Sequence, residues 1–186
     1  MLSQSAVADP TLTLMPLDGA ITGTSGATVG WGFTISNSTN FLVVTSSDFC
    51  VGPIASPCGN GLGTYSDFIG PNFIIVGPPP ESTTVAQAFN LSLSTGLGSF
   101  LINPGSTPGQ GVTGQVVVTY DLYSVDPNDP NFNPGLDTIS VGNLLTANAS
   151  VTAAVVPEPT SLLMLGSGLA GTSYFLRRKR PGESAA

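Results

Sequence analysis

The sequence contains no histidine, and its first 176 residues contain neither lysine nor arginine. Charged residues make up 8% of the 186 positions, about a third of the usual share in soluble chains. A region without imidazole or amine side chains lacks the common general bases and nucleophiles. It also lacks the cations that neutralise nucleic-acid phosphates. We therefore expect neither an enzyme nor a nucleic-acid-binding protein, and we expect no catalytic residue and no cofactor.

Cysteine is scarce as well, with Cys50 and Cys58 as the two examples. Their spacing suits a local disulfide that closes a loop rich in glycine and proline, worth about 2–3 kcal/mol in the chain-entropy model. The alternative is a pair of unrelated thiols in a reducing compartment. Two cysteines supply half the ligands of a zinc site, so we expect no metal there.

From residue 11 to residue 155 the apolar residues recur at every second position, which is typical of half-buried strands. The clearest example is Thr28–Ser36, in which Val29, Trp31, Phe33 and Ile35 share one face. Trp31 could stack on a sugar ring, but its place on this apolar face favours a role in the core. Glycine and proline number 23 and 16, and they cluster in turns between the candidate strands.

The pattern predicts about eight strands and no helix before residue 160. The candidates are Thr11–Met15, Thr28–Ser36, Phe41–Thr45, Phe73–Val76, Thr84–Leu93, Gln115–Val125, Asp137–Leu145 and Thr146–Val155. We interpret them as an all-β fold, an antiparallel immunoglobulin-like β-sandwich.

An irregular stretch rich in aspartate, asparagine and proline connects two of these strands. Asp126, Asp129 and Asp137 offer oxygen ligands that could hold calcium. The alternative is a turn-rich connection in which Asp and Asn side chains bond to their own backbone. The same carboxylates could also serve a hydrolase, although the sequence gives no sign that they pair.

The C-terminal residues have three parts in a fixed order. Pro157, Glu158 and Pro159 form a rigid, extended peptide. Ser161–Leu176 follows without a charged residue, and as a helix it would span about 24 Å, a marginal transmembrane length. All basic residues then come together, at Arg177, Arg178, Lys179 and Arg180.

In a soluble protein, nothing would favour placing every basic residue directly after the end of one helix. By the positive-inside rule, residues 177–186 are cytoplasmic and residues 1–156 lie outside. The basic cluster would act as a stop-transfer signal after a single C-terminal transmembrane helix. We thus divide the chain into an N-terminal segment (1–10), a β-sandwich ectodomain (11–155), an anchor segment (156–180) and a cytoplasmic tail (181–186). The N-terminal segment is either a remnant of a signal peptide or a chance match to its cleavage site.

This tripartite end resembles the PEP-CTERM sorting signal of Gram-negative bacteria. The resemblance implies recognition and cleavage by an exosortase, a membrane-embedded enzyme, followed by transfer to the cell surface or the extracellular polysaccharide matrix. Pro157, Glu158 and Pro159 would be the sorting motif. The expected function is that of an exported surface or matrix protein with a structural or interaction role. The alternative is a carbohydrate-binding or adhesive module, with or without calcium.

Overall fold

The computed structural model describes residues 10–54, 58–78, 80–81 and 83–155. The chain divides into two units, Met1–Ala154 and Val155–Ala186. The described residues belong to the first unit, apart from Val155. They form an all-β fold with one short helical turn, α1 (Pro134–Asp137).

The described residues form ten strands in two sheets of five. The first sheet contains β1 (Thr11–Met15), β3 (Thr28–Ser36), β5 (Gly63–Asp67), β7 (Thr84–Gln87) and β8 (Gly98–Ile102). The second sheet contains β2 (Ala20–Gly23), β4 (Phe41–Cys50), β6 (Ile74–Val76), β9 (Gly111–Tyr123) and β10 (Thr138–Ala153).

The strand order in the first sheet is β1-β3-β8-β5. Strand β8 pairs with Thr28–Trp31 of β3, and β7 pairs with Phe33–Ser36 of the same strand. The strand order in the second sheet is β2-β10-β9-β4-β6. All pairs are antiparallel except β2 with β10, which run parallel. The expected antiparallel sandwich is therefore wrong in this one pair. The reason is that the chain crosses directly from the edge of one sheet (β1) to the edge of the other (β2).

The core lies between the two sheets and takes one face from each. Trp31 and Phe33 of β3, Phe100 of β8 and Phe49 of β4 are all fully buried in this core. Phe49 meets Phe100 edge to face, with ring centroids 5.6 Å apart. The prediction that Trp31 belongs to the core is confirmed, and its indole N–H also donates to the carbonyl of Gly19 over 2.8 Å.

The opposite face of β3 is covered by the segment that follows β7. A Cβ at Gly30 would clash with the ring of Phe89, and one at Gly32 would lie 2.7 Å from the carbonyl oxygen of Gln87. The two glycines thus let residues 87–89 lie directly against the sheet. Larger side chains at these two positions of β3 would clash with them.

Several predicted strands differ from the observed ones. The two predicted strands at residues 137–145 and 146–155 form the single strand β10. Asp137 instead closes the helical turn α1, and residues 154 and 155 lie beyond the end of β10 at Ala153. The predicted strand Thr84–Leu93 ends at Gln87, because a tight turn between Asn90 and Thr95 follows. The sequence pattern missed β2, β5 and β8.

Candidate functional site

A groove of about 420 Å³ lies on the outer face of the second sheet, beside the Cys50–Cys58 disulfide. It combines hydrogen-bonding groups with apolar ones and takes them from several strands. It is lined by Ser46, Ser47, Asp48, Cys50, Ile54, Cys58, Val117, Thr119 and Leu144.

Strand β4 positions the polar side of this groove. Its register against β9 shifts between Val44 and Ser46, which marks a β-bulge. After the bulge, buried Ser47 and Phe49 alternate with partly exposed Asp48. The bulge thus changes which residues of β4 face the core after Ser46. The side chain of Ser47 points into the core, and that of Asp48 points out towards the groove.

The apolar side comes from three separate parts of the chain. Ile54 belongs to the disulfide loop and is 45% exposed, while Leu144 on β10 is 49% exposed. Val117 on β9 lies between them and is almost fully buried. A ligand here would meet apolar walls together with the carboxylate of Asp48 and the hydroxyls of Ser46 and Thr119. This arrangement can bind, but a single carboxylate without a partner base supplies no acid–base pair.

Asp48 also lies close to the two cysteines, with the three potential ligand atoms within 4.8 Å of one another. Cys50 and Cys58 are bonded to each other in a disulfide. A disulfide sulfur is not a thiolate, and the thiolate is the form of cysteine that binds metals. We therefore assign this cluster no metal role.

Directly beneath the groove, a polar cluster joins the two sheets. The hydroxyl of Ser47 on β4 lies 2.6 Å from a carboxylate oxygen of Asp67 and 2.8 Å from the Tyr65 hydroxyl, both on β5. It also lies 2.7 Å from the carbonyl oxygen of Leu97. Ser47 is only 6% exposed, so this serine ties the sheets together and is not an accessible nucleophile.

Asp67 completes the cluster by accepting two backbone N–H groups, from Ile69 at 2.8 Å and from Gly70 at 3.1 Å. Burial raises the pKa of the Tyr65 phenol above its ordinary value, and the neighbouring Asp67 carboxylate adds to the increase. Tyr65 therefore stays neutral and keeps its proton for the Ser47 contact.

The aspartates proposed as calcium ligands are bound to their own backbone instead. Asp126 accepts the N–H of Asn128 over 2.8 Å, and Asp129 accepts the N–H of Asn131 over 2.7 Å. Asp137 accepts the N–H of Asn133, also over 2.7 Å. Among the described residues, the structure does not bring these three carboxylates together as a metal-binding group. The geometry favours the turn-rich connection over the calcium site.

We expect calcium to leave the melting temperature of the full chain unchanged. A site that binds only the folded state would raise it by mass action. Differential scanning calorimetry with and without millimolar calcium measures this, with magnesium as the control ion. A rise specific to calcium would contradict this view of the loop.

The residues predicted for sorting and anchoring lie outside the described part of the chain. These are the motif Pro157, Glu158 and Pro159, the predicted transmembrane helix Ser161–Leu176, and the basic cluster Arg177, Arg178, Lys179 and Arg180. The N-terminal residues 1–9 also lie outside it. Within the described residues, no helix has the length and apolar character needed to cross a membrane.

Sequence reasoning missed the groove, because its walls come from strands far apart along the chain. The one available signal was local: Asp48 precedes Cys50 in an alternating stretch, so both side chains had to leave the same face of β4. Nothing in the sequence indicated that Thr119 and Leu144 lie beside them.

Comparison with solved structures gives a weak similarity. One chain of a crystal structure described as a complex of a CaDoc0917 variant with CaCohA2 at pH 5.5 is 18% identical, covering 78% of this chain and all of that one. The TM-score is 0.27, too low to support any argument about fold or function. No curated protein matches the chain significantly.

Comparison with protein families is informative at the C-terminal end. Residues 155–180 match the PEP-CTERM protein-sorting motif. The match covers the predicted Pro-Glu-Pro peptide, the predicted apolar segment and the basic cluster in one stretch. This motif implies export, association with the membrane and processing by an exosortase. The chain is therefore a protein that carries a C-terminal PEP-CTERM sorting motif.

Proposed function

We propose that this chain is a non-enzymatic surface or matrix protein, a β-sandwich carried to its destination by the C-terminal sorting motif. The observation that supports the proposal is the match of residues 155–180 to the PEP-CTERM motif. The sandwich itself supplies no histidine and no cation, so we assign it a structural or binding role instead of catalysis.

Within this proposal, each part of the tail has its own physical task. Pro157 and Pro159 keep the backbone around Glu158 extended, which suits recognition by an enzyme that binds strand-like peptides. Ser161–Leu176 is the membrane span, and the four basic residues that follow keep the C-terminal end cytoplasmic. The sandwich would then lie outside the cytoplasm, where a disulfide between Cys50 and Cys58 persists.

Replacement of Pro157, Glu158 and Pro159 by alanine tests the proposal. We expect the variant to stay in the inner membrane at its unprocessed mass, because the span and the basic cluster remain while the recognition peptide is lost. Intact-mass measurement on membrane, surface and medium fractions of the native host gives the result. The matched control replaces Pro181 and Glu183, which lie outside the matched residues 155–180, by alanine and should be processed normally. Normal processing of the Pro-Glu-Pro variant would end the proposal.

We further infer that the sandwich is immunoglobulin-like. The order β1-β3-β8-β5 follows the A-B-E-D order of an immunoglobulin sheet, and β10-β9-β4 follows its G-F-C order. Two features depart from that pattern. The disulfide is local to the end of β4, and β6 pairs with β4 although it follows β5 along the chain.

A second candidate function is a carbohydrate-binding or adhesive module, with extracellular polysaccharide as the partner. The observation that favours it is the groove beside the disulfide, in which hydroxyl and carboxylate groups lie next to apolar side chains. Such a mixture suits a neutral sugar, which presents both hydroxyl groups and C–H faces.

Thr119→Val tests this candidate, because it removes a groove hydroxyl while keeping the β-branched shape. If the groove binds polysaccharide from the host matrix, its affinity should fall about five- to tenfold, the effect of one lost hydrogen bond. Thr113→Val on the same strand, outside the groove, is the matched control. Equal binding by both variants would exclude the groove as the binding site.

A further inference from the structure

Among the described residues, strand β10 has an unpaired edge along most of its length. It pairs with β9 along one side between Thr138 and Thr152. On its other side, β2 pairs only with Ser150–Ala153. No described residue pairs with that side of Thr138–Ala149, so this stretch, the β10 edge, ends the second sheet in the described part of the chain.

The backbone hydrogen bonds show which groups point away from the sheet. The N–H of Ser150 donates to Gly19 and that of Ala154 donates to Gly23, both towards the β2 side. The backbone groups of a strand alternate from one side to the other, so the N–H and C=O groups of Leu144 and Thr146 point to this same side. They are donors and acceptors arranged to receive another strand.

This edge lacks the features that normally prevent strand addition. Edge strands are usually protected by charged side chains, above all lysine, or by proline. Residues 138–153 contain no charge and no proline, and lysine is absent from the whole of the first unit. Apolar groups are exposed along the edge instead, with Val141 at 66% and Leu144 at 49%. Two register shifts interrupt it at its N-terminal end, one between Thr138 and Ser140 and one between Ser140 and Asn143.

We propose that the β10 edge is a self-association surface, where a second copy of this chain adds its own β10 in antiparallel orientation. Charge selects the second copy as the occupant. The first unit carries acidic side chains and no basic ones, so two copies repel each other over most orientations. An uncharged edge is where they can meet without bringing carboxylates together, whereas a cationic partner would gain nothing from a neutral edge.

The edge is also suited to pairing with itself about a two-fold axis. With Leu145 at the axis, Leu144 of each copy faces Thr146 of the other, and these two residues exchange hydrogen bonds in both directions. The contact ends before Ser150, where β2 already occupies the edge. The two second sheets would then become one continuous sheet.

Thr146→Pro is the direct test, because it removes a donor that points out of the sheet and leaves the bonds to β9 in place. Thr146→Lys is the second variant, and it places a charge on the edge without changing the backbone. Thr113→Lys is the matched control, since Thr113 is exposed on the neighbouring strand β9, away from the edge. Sedimentation velocity on the full chain in a mild detergent gives the dissociation constant of each, with the same tail present throughout.

We expect the wild type and Thr113→Lys to form dimers of equal stability. Thr146→Pro should weaken the dimer about thirtyfold, the effect of one hydrogen bond lost from each copy. Thr146→Lys should also weaken it, because it places a charge against Leu144 of the other copy. If the proline variant does not fold, the lysine variant decides the question. A wild type that is monomeric at every concentration overturns the proposal. Dimers of unchanged stability in Thr146→Lys would place the contact elsewhere and overturn it too.

Discussion

Replacement of Trp31 by alanine should lower the free energy of unfolding by about 3–5 kcal/mol, the usual cost of truncating a buried tryptophan. Trp31 has no exposed surface and packs against Phe49, with ring centroids 5.2 Å apart. Its indole N–H also bonds to the carbonyl of Gly19 in the turn between β1 and β2. The variant would leave a cavity between the sheets and remove one of the two hydrogen bonds to the Gly19 carbonyl, which also accepts the N–H of Ser150.

Guanidinium unfolding of the full chain in mild detergent, followed by far-ultraviolet circular dichroism, measures this loss. Fluorescence does not serve, because Trp31 is the only tryptophan. Leu17→Ala is the control: Leu17 is 83% exposed, so its loss should change stability by less than about 0.5 kcal/mol. Similar small effects for both variants would mean that Trp31 does not lie at the centre of the core.

The second large effect is expected for Asp67→Ala, which removes the acceptor at the centre of the polar cluster beneath the groove. The N–H groups of Ile69 and Gly70 and the hydroxyl of Ser47 would all lose a partner. An unsatisfied buried donor costs about 1–3 kcal/mol, and Ser47 retains the carbonyl of Leu97 as an alternative. We therefore expect a total loss of about 2–4 kcal/mol.

The matched control for this variant is Asp18→Ala. Asp18 also accepts a backbone N–H, that of Ala20, but its hydrogen bond is exposed to water. Water can replace an exposed acceptor, so the control should lose less than about 1 kcal/mol. The same denaturation measurement compares the two. An equal loss in both variants would show that the cluster does not tie the sheets together.

The sequence predicted those strands that are buried on one face and turned to solvent or to small residues on the other. Strands β1 and β3 were predicted with their observed bounds, because Thr28–Ser36 alternates clearly between large and small residues. In β8 four of five residues are buried, so alternation could not reveal it. Strand β5 carries one large side chain, Tyr65, among small and polar residues, and gives hardly any pattern.

Features that depend on contacts between distant segments could not be predicted from the sequence. The parallel pairing of β2 with β10 joins residues more than a hundred positions apart. The Ser47 cluster likewise joins strands of different sheets through single hydrogen bonds. The C-terminal motif was recognisable for the opposite reason. Its parts follow one another directly along the chain, and the complete clustering of basic residues at its end is unusual in itself.

The C-terminal tail should deliver the sandwich to the outside and then be removed. The most direct measurement is the intact mass and cell fraction of the full-length protein expressed from its own locus in its own host. We predict a species that ends near Glu158 in the surface or medium fraction. A full-length species held in the inner membrane would show a plain anchor, and a full-length soluble species would contradict the predicted topology altogether.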